Sequence, residues 1–235
     1  YNQNKKLSDL IFEIEKISKI ERIRYMTSHP KDMTDDLIEI YGSSKKLMPL
    51  IHLPVQSGSD KILKLMNRKH LIQDYFKIYE RLKNINSKIK FSSDFIIGYP
   101  GEENEDFNLT LDLINKIEFI NSFSYIFSPR PGTIAFDLKL IEKKISLERL
   151  EIVQKKLFNH QIQMNKSLKN SIINVLVENR TRDGSKLFGR SEYMTSVIFD
   201  GNDNDIGKVV KVKINKSNQN TLFGQLIVKS KLRVA

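Results

Sequence analysis

The chain of 235 residues has no cysteine and no tryptophan, only four histidines, and just ten glycines and six prolines. Without cysteine it has no disulfide, no thiol nucleophile and no cysteine-ligated zinc, and it cannot by itself hold an iron–sulfur cluster on thiolates. The histidines, His29, His52, His70 and His160, show no HxH or HxxxH spacing, so no metal site is expected from them. No apolar run approaches the ~20 residues of a membrane helix. The opening YNQNKKLSDL lacks the apolar stretch and small-residue cleavage site of a signal peptide. A cytoplasmic protein without membrane contact is expected. At 40% hydrophobic and 29% charged residues the composition excludes disorder as the main state, and this length allows roughly two domains.

What is abundant is positive charge. Thirty-nine Lys plus Arg against 28 Asp plus Glu leave a net +11, and the excess is denser in the tail: residues 1–166 carry 27 basic and 22 acidic groups, residues 167–235 carry 12 and 6. That field concentrates polyanions, although abundant Lys, Ile and Asn also follow from an AT-rich genome.

The periodicity falls into two regimes. Leu7, Leu10, Ile11, Ile14 and Ile17 recur at helical spacing and are followed by the strand-like Arg22–Ser28. Thr34 caps an acidic helix start ahead of a strand at Leu50–Leu53. A short helix after Ser59 and a longer one near Gln73–Asn86 lead to a strand at Lys90–Gly98. A helix opened by Glu102, Glu103, Glu105 and Asp106 leads to Phe123–Phe127. Alternating helices and strands predict a parallel sheet, open or rolled into part of a barrel, with chemistry at the carboxyl ends of the strands. After a long amphipathic helix from Ser146 to about Lys169, the pattern changes to alternation. Five short strands, 172–178, 186–191, 195–200, 207–214 and 222–228, predict a small closed antiparallel barrel, with the boundary near 167.

Four polar loops follow the strands: Ser28–Pro30, Pro54–Asp60, Tyr99–Glu102 and Ser128–Thr133. In HLPVQSGSD, Gly58 would let a ligand approach the backbone, and the amide and hydroxyls could bind a nucleoside or amino-acid head group; an ordinary turn with Ser59 as N-cap explains the same residues. FIIGYPGE at 95–102 offers a strand end and glycine turn against which a flat ring could lie, or a plain tight turn. Arg130, between Pro129 and Pro131, is held on a stiff loop where it could pair with a carboxylate or phosphate, or remain a solvated surface charge. Asp94, inside a strand, needs a partner or a wet edge. In the small barrel Arg180, Arg182, Lys186 and Arg190 gather near the first hairpin, with Phe188 and Tyr193 nearby. That suits single-stranded or looped RNA, or is a solvated basic face over a core.

Four segments, TSHPKDMTDDLI at 27–38, HLPVQSGSDKILKLMNRKH at 52–70, SSDFIIGYPGE at 92–102 and FSPRPGT at 127–133, resemble in order and spacing the radical S-adenosylmethionine methylthiotransferases. SHPKDMTDDLI is most similar to the MiaB family, the tRNA 2-methylthio-dimethylallyladenosine synthases, and residues 167–235 resemble their RNA-binding TRAM domain. The resemblance implies an α/β fold: the later strands of a partial (β/α)6 radical-SAM barrel over residues 1–166, then a five-stranded TRAM-like barrel. It implies S-adenosylmethionine and two 4Fe–4S clusters in the parent enzyme. One cluster cleaves S-adenosylmethionine to the radical that attacks C2 of the modified adenine, and the other supplies sulfur. The partner implied is the tRNA anticodon stem-loop. By similarity Gln56, Ser57 and Ser59 lie by the cofactor, Ile96 and Gly98 by its adenine, and Arg130 at the mouth.

The chain departs from this family in one respect: neither the CxxxCxxC loop nor the three N-terminal cysteines of the second cluster are present. The resemblance therefore implies a C-terminal portion of an enzyme, partnered by the missing N-terminal half and inactive alone, with no catalytic residue of its own assigned. A cysteine-free RNA-binding module is the competing expectation. An acid–base enzyme using His52 and Asp94 ranks last for want of diagnostic spacing.

Overall fold

The computed structural model describes residues 5–27 and 29–227 and divides the chain into two compact units, Tyr1–His160 and Gln161–Ala235. In the first, helices α1 (Leu7–Glu15), α2 (Asp35–Ser43), α3 (Asp60–Leu65), α4 (Ile72–Ile85) and α5 (Asn104–Ile117) alternate with strands β1 (Leu50–His52), β2 (Lys90–Ser92), β3 (Asp94–Ile97) and β4 (Phe123–Ile126). Helix α6 (Lys143–Ser167) follows.

Among the described residues every strand neighbour in this unit is parallel and in chain order. Ile23 bridges Leu47 and Met26 bridges His52, β1 pairs with β2, Gln56 bridges Phe95, and β3 pairs with β4. This is the arrangement expected of helix-connected parallel strands. Two details differ from the sequence reading. The stretch from Arg22 makes only the two isolated bridges, held by Ile23 N–H to the Lys46 carbonyl (2.8 Å) and Thr27 N–H to the His52 carbonyl (3.4 Å); Ser28 lies outside the described residues. The run expected as one strand at Lys90–Gly98 is split at Ser93, where hydroxyls replace the ladder. Val55 N–H donates to Ser93 Oγ and Ser93 N–H donates to Ser122 Oγ, each at 2.9 Å.

The core lies between this row and its helices: Ile51, Leu53, Val55, Phe91, Phe95 and Ile97 from the strands meet Leu37, Ile38, Tyr75, Leu82, Phe107 and Ile114 from the helices. Fully buried Tyr75 satisfies its hydroxyl on the Leu53 carbonyl at 2.9 Å, as a buried phenol must.

The second unit is a closed barrel of β5 (Ile172–Arg180), β6 (Leu187–Ser191), β7 (Ser196–Asp200), β8 (Val209–Ser217) and β9 (Thr221–Leu226), ordered β5-β6-β7-β9-β8. Four pairings are antiparallel and one, β7 with β9, is parallel. The expectation of an antiparallel barrel is corrected in this one pairing. Strand directions cannot alternate all the way around a closed ring of five, so at least one neighbouring pair must run the same way. Inward positions Val175, Val177, Leu187, Val197, Phe199, Val212, Ile214 and Leu222 form its core. The division between units falls within α6. Asn165, with no exposed surface, donates to the carbonyls of Asn218 (3.2 Å) and Gln219 (2.8 Å), so the last turns of the helix belong with the barrel.

Candidate functional site

At the carboxyl ends of the parallel strands a cleft of about 620 Å³ is lined by Gln56, Met66, Arg68, Ile96, Tyr99, Tyr125, Ile126, Phe127, Ser128, Arg130, Thr133 and Ala135. Its size lies in the range of small-molecule sites. Of the six residues expected at the cofactor, three line it: Gln56, Ile96 and Arg130. Gln56 is held in a left-handed conformation, φ 75°, uncommon for a residue with a side chain. Its N–H donates to the Asp94 carbonyl (3.0 Å) and its carbonyl accepts from Ile96 N–H (2.9 Å), so the backbone that fixes Gln56 is tied to the strand end beside Ile96.

Ser57, Ser59 and Gly98 are not among the lining residues. Ser59 Oγ donates to Asp106 Oδ1 (2.6 Å) and accepts from Ile62 N–H (3.3 Å), the N-cap of α3, while Ser57 Oγ lies 3.4 Å from Thr110 Oγ1. Gly58 serves packing as well: a Cβ there would sit 2.4 Å from the Leu109 carbonyl oxygen and 2.5 Å from Thr110 Cα. The close approach it permits is that of α5, not of a ligand. Gly98, at φ +73°, leaves room for Ser146, whose Oγ would lie 2.5 Å from a Cβ. Asp106 joins this cluster. Burial raises its pKa, but bonds from Ser59, the Glu103 N–H and Lys61 outweigh it and hold the carboxyl below its ordinary value.

Arg68, Tyr99 and Tyr125 also line the cleft; of these the sequence pointed only to Tyr99, as the start of its loop. Arg68 follows Asn67, itself left-handed at φ 55°; its Nη2 donates to the Pro54 carbonyl (3.1 Å), its buried Nε has no hydrogen-bond partner, and burial lowers its pKa. An Asn–Arg pair at 67–68, just past a short helix, was the available clue. Tyr99 donates to the Leu65 carbonyl (2.9 Å) and packs edge-on to Phe127 at 4.7 Å. Nearby, His70 is 4% exposed with neither ring nitrogen bonded, and burial depresses its pKa to about 4. The ring of His29 stands edge-on to it at 4.9 Å.

His52 and Asp94 do come together, with Nε2 3.5 Å from Oδ2 and Nδ1 2.9 Å from Ser92 Oγ. Burial lowers the His52 pKa against the pull of Asp94, so a buried neutral imidazole accounts for the pair. In the barrel, three of the four residues expected at RNA are matched by carboxylates of the barrel itself. Arg180 pairs with Asp203 (2.6 Å), Lys186 with Asp200 (3.7 Å), and Arg190 with Glu178 (3.7 Å) while lying 5.1 Å over the Phe188 ring. Arg182 is exposed in the turn between β5 and β6.

Residues 2–114 match the Radical SAM superfamily and residues 166–227 match the TRAM domain. The chain is 65% identical over 230 residues, 98% of its length and 52% of the other's, to the tRNA-2-methylthio-N(6)-dimethylallyladenosine synthase of Pelagibacter ubique (strain HTCC1062). It is 47% identical over 223 residues, 94% of its length and 50% of the other's, to the protein of the same name from Rickettsia akari (strain Hartford). Escherichia coli coproporphyrinogen III oxidase (HemN) superposes with a TM-score of 0.47 at 14% identity, over 86% of this chain and 50% of that one. By its sequence matches, and not by that superposition, the parallel unit is of the radical SAM class, joined to a TRAM barrel. Within that class the chain belongs to the methylthiotransferase family of the two synthases, and it spans about half the length of the curated relatives it matches.

The residues present differ in how they suit the groups that this class implies. With no cysteine in the sequence there is no thiolate for an iron–sulfur cluster, and these 235 residues do not fit one. The cleft does suit S-adenosylmethionine. Its volume, the polar side chain of Gln56, the guanidinium of Arg130 and the aromatic walls of Tyr99 and Tyr125 are what a nucleoside carrying a charged amino-acid tail requires.

Proposed function

We propose that this chain is the portion of a tRNA methylthiotransferase that holds S-adenosylmethionine and RNA. The product would be tRNA carrying a methylthio group at C2 of the dimethylallyladenosine 3′ of the anticodon. The observation that carries this reading is a cleft at the strand ends of a radical SAM unit, bearing Gln56, Ile96 and Arg130, in the same chain as a TRAM barrel. S-adenosylmethionine supplies alkyl-radical chemistry once it receives an electron. That electron must arrive through a cysteine-bearing polypeptide, the N-terminal half, because this chain has no cluster ligand.

The chain's own residues then bind and orient. The locked backbone of Gln56 presents its amide, the Ile96 strand end offers an apolar seat for a flat ring, Arg130 holds a carboxylate, and buried Tyr99, packed on Phe127, excludes water from one wall. Alone, the chain is inactive. We place it in the cytoplasm, with the tRNA it would act on. The test is to express the chain, with and without a polypeptide supplying the cysteine-bearing half, in cells lacking the synthase, and to read methylthio-adenosine in digested tRNA by mass spectrometry. Product only with both polypeptides supports the reading. No product with both present and soluble, while the chain still binds tRNA, favours the RNA-binding module, the reading to which the absence of cysteine points.

A further inference from the structure

The distribution of charge around the small barrel is one-sided. Between residues 167 and 235 all six carboxylates lie at Glu178, Asp183, Glu192, Asp200, Asp203 and Asp205; beyond Asp205 the chain has seven lysines and arginines and no acid. The acids sit on and around β5, β6 and β7, where they answer Arg180, Lys186 and Arg190. Strand β8 is different. Val212 and Ile214 point into the core, so Lys211 and Lys213 point out; beyond the register shift between Ile214 and Lys216, Lys216 stands opposite Phe223 of β9. All three lysines are exposed, and none forms an ion pair with a described residue. Across from Lys213 stands exposed Gln225; the next residue in that row, Asp200, is engaged by Lys186.

We infer that the outer face of β8 and β9, with Lys211, Lys213, Lys216, Phe223 and Gln225, holds the RNA backbone, rather than the first hairpin. The inference rests on the RNA reading proposed above and assigns its surface. A strand rises about 3.3 Å per residue, so alternate lysines stand roughly 7 Å apart on one face, close to one nucleotide step of an extended polynucleotide. Cations already matched by carboxylates release few counterions on meeting phosphate, whereas unmatched lysines contribute the full electrostatic term. A half-exposed phenylalanine and an amide beside them suit a base, through stacking and hydrogen bonding, better than they suit a lipid surface or an acidic peptide.

The test uses the full 235-residue chain and a synthetic tRNA anticodon stem-loop, with binding read by fluorescence anisotropy between about 50 and 200 mM salt. Replacing the three lysines together by K211Q, K213Q and K216Q should weaken binding tenfold or more and flatten the log–log salt slope by about 2. The pair R180Q and K186Q should cost less than about twofold. Phe223→Ala should weaken binding about fivefold with the slope unchanged, since stacking carries no counterions. Thermal melts check that each variant is folded. Binding that survives the triple substitution, or falls chiefly with R180Q and K186Q, overturns the assigned face alone. An unsubstituted chain without salt-dependent RNA binding overturns the RNA reading and the face with it. Displacement of RNA by polyglutamate at equal charge concentration would replace RNA by an acidic protein as the occupant.

Discussion

The two units solve the problem of strand edges in opposite ways. The TRAM barrel closes on itself, so each of its five strands has two neighbours and its eight core side chains are sealed to within 1% exposure. The parallel unit is a row with two ends. The Ile23–Thr27 stretch bonds toward β1 only and β4 toward β3 only among the described residues, and large apolar groups stand open at both ends: Met26 at 60%, Phe123 at 55% and Tyr125 at 56%. Exposed apolar surface beside unpaired strands is a surface that another polypeptide or substrate covers. A small barrel can thus be free of edges in some 70 residues while a larger α/β unit keeps two, because closure rather than size removes them.

Four measurements break or sharpen this contrast. Phe199→Ala should cost about 4 kcal/mol and unfold the barrel selectively, leaving the parallel unit's protection from hydrogen exchange intact. Gly58→Ala, which drives a Cβ against the backbone of α5, should cost roughly 3 kcal/mol in the parallel unit alone. Tyrosine fluorescence will report it, since seven of the eight tyrosines lie in that unit. Acid should separate the units next. All four histidines belong to the parallel unit and burial lowers the pKa of each. A depressed folded-state pKa means that the unfolded chain takes up protons first. The contribution is therefore full above the ordinary value of 6.5 and lost as pH falls toward about 4 for His70. Between pH 7 and 5 His70 alone should cost the parallel unit roughly 2 kcal/mol, with the barrel unmoved over that range in urea titrations. Ser59→Ala should cost about 1 kcal/mol through loss of the α3 cap. A larger loss of S-adenosylmethionine binding than of stability would return Ser59 to the cofactor.

Much of this fold was legible because period and length were unambiguous: helical repeats of Leu and Ile between short apolar runs, then strict alternation from Ile172 onward. The split at Ser93 was not, since it depends on hydroxyls of Ser93 and Ser122 taking ladder bonds from residues distant in sequence. The parallel pair in the barrel followed from counting strands, five in a closed ring, and not from any residue. At the cleft, Gln56, Ile96 and Arg130 fell where strand ends placed them, whereas Ser57, Gly58 and Ser59 were claimed by α5, a partner some fifty residues later. Arg68 was not singled out, and Tyr99 only as the start of its loop, because their roles depend on Pro54, Leu65 and Phe127 folding around them. The first hairpin's basic cluster looked free in sequence; its matching acids at Asp200 and Asp203 come from the end of the neighbouring strand β7 and the turn after it, some 14 to 23 residues on.

The central claim, that the parallel unit is the open part of a two-part enzyme and the barrel is complete, is tested most directly by hydrogen exchange on the chain with and without the cysteine-bearing polypeptide. The account predicts fast exchange at the outward amides of Ile23–Thr27 in the chain alone, slowed when the second polypeptide is added, with β5 to β9 equally protected in both. Unchanged exchange at Ile23–Thr27 alongside altered protection in the barrel would contradict it.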